Sequence, residues 1–243
     1  MAELTLYLDL MSQPCRSVYI FAKANNIPFN NYEVKLFKGE QLSEEFGKVN
    51  PLRKVPALKD GDFTMAESTA MLLYLANKYK TPDHWYPSDL QKRARVDEYL
   101  AWQHSNTRPN GSKLFWIKAI TPWLLGHEPE PEKLEAAVNE FNTTLKAFEE
   151  AFLQGKPFIA GDEISIADLV AIVEIMQPVA AGIEVFENKP ALAAWKKRVE
   201  DAIGAELFKE AHEKIQHAKN LQSMPPPPEL KERLKARLLN FTH

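Results

Sequence analysis

Residues 4–25 read LTLYLDLMSQPCRSVYIFAKAN, and the change of pattern halfway along them decides the fold. Leucine at positions 4, 6, 8 and 10 alternates with other residues, the period of a strand with one apolar face. At Ser12-Gln13-Pro14 the signal becomes that of a helix start, a hydroxyl able to cap followed by a proline suited to the first turn. The helix predicted from RSVYIFAKAN, residues 16–25, stops before Ile27-Pro28. Working outward, NYEVKLF at 31–37 reads as a second strand ending at Lys38-Gly39. In ALKDGDFTM, residues 57–65, Asp60-Gly61 lies between two β-prone runs and predicts a hairpin. Glu67-Ser68 then opens the helix TAMLLYLANKY, so β-α-β followed by β-β-α makes an α/β unit over residues 1–82.

Past Thr81-Pro82 and Tyr86-Pro87 the strand signals vanish. Helical patterns follow at 88–120, 131–153, 165–180, 190–202, 204–219 and 229–240, predicting an all-helical domain over 88–243. The connectors are PEP at 129–131 and MPPPP at 224–228, the latter a stiff extended spacer. One helix start is sharply marked. In GDEISIADL, residues 161–169, Ser165 is set to cap with Asp168 three residues on, and Ile164 and Leu169 occupy the staple positions. That pattern predicts a firm helix start with no chemical role.

Composition narrows the function classes. Of 243 residues, 45% are hydrophobic and 26% charged, which is globular; 30 Lys+Arg against 33 Asp+Glu leave a net charge of −3. A balanced charge gives no general attraction to nucleic acid or anionic lipid. The single cysteine, Cys15, cannot pair within the chain, which fits a reducing, cytoplasmic location. Glu3 and Asp9 interrupt what a signal peptide would need, and no run of about 20 apolar residues predicts a membrane span. The nine glycines form neither GxGxxG nor GxxxxGK[ST], and there is no GxSxG. The six histidines show no i,i+4 pair, so no metal site is expected.

Three places invite chemistry. Ser12 sits at a helix N-terminus, where unpaired N–H groups and the dipole favour an anion; capping is the commoner use of such a serine. Lys54-Val55-Pro56 precedes the hairpin, and an exposed strand entry suits docking of an extended peptide. A trans Pro56 is the commoner case there. Glu67-Ser68 opens a helix able to hold a carboxylate, again with capping as the ordinary alternative. An anion site, a peptide-docking edge and a carboxylate site in one unit together suit a short acidic peptide bearing a reactive group.

The runs LYLDLMSQPCRSVYIFAK, NPLRKVPALKDGDF, AES at 66–68, RARVDEYLAWQH and ISIADLVA resemble the theta-class glutathione transferases, over nearly the whole chain. The resemblance implies an α/β thioredoxin-like N-terminal domain plus an all-α C-terminal domain, and a homodimer. It implies conjugation of reduced glutathione, a co-substrate rather than a cofactor, to alkyl halides, epoxides or sulfate esters, with organic hydroperoxides as a further class. Ser12 then corresponds to the serine that stabilises the glutathione thiolate, with Gln13 beside it. Lys54, Val55 and Pro56 correspond to the backbone and glycine-carboxylate contacts, Pro56 in the family's cis form. Glu67 and Ser68 correspond to the pair holding the γ-glutamyl group. Gln41 stands where relatives often carry histidine, and Ser105, Asn106 and Thr107 lie where a dimer partner would approach glutathione. Arg108, Trp116 and Arg237 match electrophile-side positions, Arg237 on the amphipathic helix ELKERLKARLLNF under which the pocket would lie. Pro109 and Gly111 depart from the pattern and predict a kink beside that pocket. Two rivals remain: a thiol–disulfide exchanger using Cys15, and a binding protein without turnover. Tyr7, on the first strand, is the rival for the role of Ser12.

Overall fold

The computed structural model describes residues 3–216, together with 218, 225, 226, 228, 231 and 232. The first part folds as β1 (Leu4–Leu8), α1 (Gln13–Ala24), β2 (Asn30–Glu33), α2 (Glu44–Val49), β3 (Ala57–Asp60), β4 (Phe63–Met65) and α3 (Ser68–Tyr79). The four strands form one sheet in the order β2-β1-β3-β4. β1 runs parallel to β2 and antiparallel to β3, which pairs antiparallel with β4. The alternation read at Leu4, Leu6 and Leu8 holds: all three are buried in one cluster with Val18, Ile20 and Phe21 of α1 and Met71, Leu72 and Leu75 of α3.

Several local expectations change. The second strand stops at Glu33, and Leu36–Lys38 is a 3₁₀ turn closed by Gly39 at φ 73°. The helix α2 carries no strong periodicity, since Phe46 is its one buried residue. At the hairpin Asp60 pairs with Phe63, so the two turn residues are Gly61 and Asp62. Asp60 is instead a buried side chain that accepts hydrogen bonds from Tyr74 Oη at 2.6 Å and from Lys78.

The second part holds α4 (Leu90–Trp102), α5 (Thr107–Phe115), α6 (Thr121–Leu125), α7 (Pro131–Ala147), α8 (Ile166–Ala180), α9 (Pro190–Ile203) and α10 (Ala205–Gln216). α8 is buried on every side, with Ala180 and all residues from Ile166 to Pro178 inside, and α1, α4 and α5 pack around it. One continuous core therefore joins the sheet unit to the helices.

The continuous helix expected over 88–120 is broken by a 3₁₀ turn at Gln103–Ser105 and the non-helical Asn106. No break falls at Pro109 or Gly111; α5 includes both. Pro109 falls in the first turn, where its missing N–H costs no helix bond. Gly111 meets a crossing helix: a Cβ there would stand 3.2 Å from the carbonyl oxygen of Glu174 and 3.4 Å from the Phe141 ring. Pro178 cannot donate to that carbonyl within α8, which leaves Glu174 O facing α5. The spacer at 224–228 and the helix at 229–240, with Leu230, Leu234 and Leu238, lie largely outside the described residues.

Candidate active site

β1 delivers the chain to a tight loop, Asp9–Ser12, and α1 leaves from it. The Ser12 N–H donates to Asp9 O at 2.9 Å, and Ser12 O accepts from Cys15 and Arg16 N–H at 3.1 Å each. Ser12 is therefore the N-cap, at φ −86° and ψ 127°, yet its side chain makes no capping bond. The capping use expected from sequence fails. The hydroxyl lies at the mouth of the helix near the Cys15 thiol, whose pKa it helps to lower against burial.

Asp9 and Arg16 build this loop, and the sequence reading passed over both. Asp9, 3% exposed, accepts from Met11 N–H at 3.0 Å and from Leu36 N–H at 3.1 Å. Arg16 is wholly buried; it donates to Leu10 O at 2.8 Å, Met11 O at 3.2 Å, Val173 O at 3.0 Å and the Gln177 side chain. Burial pulls its guanidinium down to about 10, which leaves it charged at neutral pH. One arginine thus ties the serine loop to α8.

A cavity of about 140 Å³ opens between the sheet unit and the helices, lined by Lys54, Val55, Pro56, Glu67, Ser68 and Arg108 among others. The first five come from two separated segments. Pro14 and Ser17 of α1 bring the wall to within two residues of Ser12, which is not itself part of it. The Val55–Pro56 bond is cis, against the base-rate expectation. Asn50 shapes this edge: its amide donates to Lys54 O at 2.7 Å, and its oxygen accepts from Leu52 N–H at 3.0 Å. The Asn50-Pro51 turn dipeptide is the signal that could have found it. Glu67 holds φ 68° and ψ 103°, a left-handed conformation that costs a non-glycine residue about 1–3 kcal/mol. Neither its side chain nor that of Ser68 is spent on capping, and Ser68 begins α3 at the cavity wall.

The helical side of the cavity differs from expectation. Arg108, expected at the electrophile, lines this cavity and donates to Glu174 Oε1 at 2.7 Å. Burial holds the Glu174 carboxyl above its ordinary range even against Arg108, and its Oε2, like Gln103 Oε1, has no hydrogen-bond partner. Gln103 and His104 also line the wall, one step before the triplet singled out from sequence. Ser105 and Asn106 side chains instead close the helix break by donating to Trp102 O, and Thr107 is buried, accepting from Tyr99 Oη at 3.4 Å. Gln13 is buried and donates to Ser112 Oγ at 2.9 Å, tying α1 to α5. Gln41 sits on the 3₁₀ turn Glu40–Leu42, off the cavity.

A second apolar cluster begins at Met11, next to Ser12 in the chain. It includes Phe115, Ile120 and Trp123, with Phe37 and the half-buried Trp116 packed against it. Trp116 opens a π-helical turn, Trp116–Ile120, inserted between α5 and α6. Arg237 lies outside the described residues. Tyr7 packs against the rings of Tyr32 and Phe46 at 5.0 and 6.0 Å, and burial with nearby negative charge raises its phenol pKa. We expect Tyr7→Phe to keep turnover within about twofold; a collapse in a folded variant would move the role of Ser12 to Tyr7. Cys15 is wholly buried, and burial is the main cause that pushes its thiol up to about 12, which disarms the exchange reading.

A four-stranded sheet unit, a serine at its first helix that makes no capping bond and an all-helical second part are the arrangement of the glutathione transferases, and comparison with known proteins shows that family. Residues 6–83 match the family "Glutathione S-transferase, N-terminal domain" and residues 113–202 match "Glutathione S-transferase, C-terminal domain". Human glutathione S-transferase theta-1 is 57% identical over 231 residues, 95% of each chain. The structure of human glutathione-S-transferase T1-1 in its apo form superposes with a TM-score of 0.94 at 55% identity, over 99% of this chain and 100% of that one. A human theta-class glutathione transferase in complex with the glutathione conjugate of 1-menaphthyl sulfate superposes at 0.91 with 46% identity, over 99% of both chains. The chain belongs to the glutathione S-transferase family, in its theta class.

Proposed function

We propose that the protein transfers reduced glutathione to small electrophiles such as alkyl halides, epoxides and sulfate esters, with the Ser12 hydroxyl holding the thiolate. The observation that carries this reading is the convergence of Lys54, Val55, Pro56, Glu67 and Ser68 on one cavity beside the serine loop. In this reading Lys54 meets the glycine carboxylate, Val55 pairs with the peptide backbone, and Glu67 with Ser68 receives the γ-glutamyl end. The acceptors of Gln103 and Glu174 suit its ammonium group. The peptide then runs from that end towards Ser12, with residues 1–82 as the glutathione unit and 88–243 as the electrophile unit.

The chemistry needs a thiolate, because a free thiol of pKa about 8.5 is only ~3% ionised at pH 7. A hydroxyl donating to the sulfur at a helix N-terminus favours the charged form and lowers that pKa. The thiolate attacks carbon and the S–C bond forms as the carbon–halogen or C–O bond breaks; halide or sulfate leaves with the bonding pair, whereas an epoxide oxygen keeps the pair as an alkoxide on the product and takes a proton from water. The cluster from Met11 to Trp123, with Trp116 at its side, offers an apolar seat for the electrophile. The relative bound to a sulfate-ester conjugate supports that substrate class.

A panel of alkyl halides, epoxides, sulfate esters and hydroperoxides, assayed with glutathione, tests the reading; no turnover on any member with the protein folded would remove it. Ser68→Ala should raise the KM for glutathione by about tenfold, one charge-assisted hydrogen bond, with a small effect on kcat at saturation. An unchanged KM would take Ser68 out of the γ-glutamyl site. The resemblance to the theta-class enzymes implies a homodimer, which sedimentation would report as twice the chain mass. Cell fractionation tests the cytoplasmic location that a lone reduced cysteine suggests. Among the described residues no helix is long and apolar enough to cross a membrane.

A further inference from the structure

The loop that carries Ser12 is built on a buried carboxylate, and the ammonium paired with it comes from the far end of the chain. Asp9 Oδ1 accepts from Met11 N–H and, at 2.7 Å, from Lys214 of α10; Oδ2 accepts from Leu36 N–H. Lys214 also donates to Glu33 on β2 at 2.9 Å. Two residues along the chain from Lys214, the wholly buried His212 is kept neutral by burial, at about 3. Glu210, one helical turn before Lys214, accepts from Tyr19 Oη of α1. The α10 helix is therefore fastened to α1, to β2 and to the serine loop.

A bare Asp9 carboxylate is the wrong neighbour for a second negative charge. The Asp9 carbonyl receives the Ser12 N–H, so its side chain stands within one short loop of the serine. Burial raises the Cys15 thiol and the Asp9 charge adds to that, although the Asp9 backbone works the other way; the same charge opposes a thiolate at the mouth of α1. Among the other charged groups facing this loop, Arg16 acts through its charge on both Asp9 and Cys15 but is shared with Glu174; Glu33 is acidic, and Lys35, after β2, acts on Glu33; Lys214 is the cation that bonds the Asp9 carboxylate directly. Burial works against the charge on Lys214, but its bonds to Asp9 and Glu33 prevail and hold its pKa up, so it stays an ammonium.

We propose that Lys214 is a positioning residue for catalysis, neutralising Asp9 so that the loop beneath Ser12 tolerates the glutathione thiolate. The proposal rests on the Ser12 reading and adds a cation from α10 to it. It is tested by the pH dependence of kcat/KM and by the ultraviolet titration of the thiolate in the glutathione complex. Lys214→Met should move both midpoints up by about one pH unit, a tenfold loss of kcat/KM below the midpoint. Lys214→Arg should keep the wild-type midpoint, and the double variant Asp9→Asn/Lys214→Met should return towards it. Glu33→Gln, which loosens α10 without exposing Asp9, should leave the midpoint in place. A Lys214→Met profile that overlays the wild type, whatever its melting temperature, overturns the proposal. So does an equal shift in Glu33→Gln, or a double variant that stays displaced. Were bound glutathione in the unsubstituted protein to ionise no more readily than free glutathione, the Ser12 reading would fall and this proposal with it.

Discussion

Ser12→Ala is expected to lower kcat/KM by about 25-fold at neutral pH, and by up to about a hundredfold in acid, while glutathione still binds. The hydroxyl stabilises the charged form of the sulfur, so its removal raises the thiol pKa towards the free value. A rise of about two units corresponds to roughly 2.8 kcal/mol and takes the sulfur from mostly ionised to a few per cent. The sign sets the pH dependence: the loss should be largest in acid and shrink as the pH climbs through the free thiol value. Binding should hold, because Lys54, Glu67 and Ser68 lie on the cavity wall and Ser12 does not. Steady-state rates from pH 6 to 9, with glutathione binding followed by calorimetry, check both halves. A variant with most of the wild-type rate at neutral pH would remove Ser12 from the mechanism.

Asp168→Ala should cost about 3–5 kcal/mol of folding stability, the largest structural loss we expect from one substitution. Asp168 is wholly buried at the start of α8, and burial raises its carboxyl above the ordinary range despite its hydrogen bonds. Those bonds come from four donors: Ile159 N–H at 3.0 Å, Ser165 N–H at 3.1 Å, Ser165 Oγ at 2.9 Å and Trp195 Nε1 at 3.0 Å. Alanine would leave all four buried without a partner, and α8 is the helix on which the serine loop is anchored through Arg16. At roughly 2–4 °C per kcal/mol for a chain of this size, the melting temperature should fall on the order of 10 °C. Asp168→Asn, which keeps one acceptor oxygen, should lose less. A denaturation midpoint unchanged in Asp168→Ala would mean that the buried donors find other partners.

Asp168 also shows how far local pattern reaches. The Ser165–Asp168 spacing and the Ile164 and Leu169 flanks marked the helix start, because a capping box is made by neighbours in sequence. The bond from Trp195, 27 residues on, was invisible, since nothing local to either residue requires the other. The candidate site divides the same way. Ser12, Lys54, Pro56, Glu67 and Ser68 stand at turns and helix starts that a sequence displays. Asp9, Arg16, Asn50 and Glu174 are polar residues whose partners are carbonyls or charges elsewhere in the chain, and such burial has no sequence signature. The pairing of Arg108 with Glu174, 66 residues away, likewise has no local signature.

By itself, then, the order of residues determined the β-α-β, then β-β-α succession and the helical character of the second part, but not α2 or the break after α4, because apolar period, caps and turn residues act over a few positions. It determined that Ser12 would stand at a helix mouth. Only the tertiary structure decided that the hydroxyl would make no capping bond there, that α5 would continue past Pro109, and that Lys214 would reach Asp9 across more than 200 residues. The physical reason is range: backbone hydrogen bonding is settled within a turn, whereas the partner of a buried charge is chosen by whichever helices the core brings together.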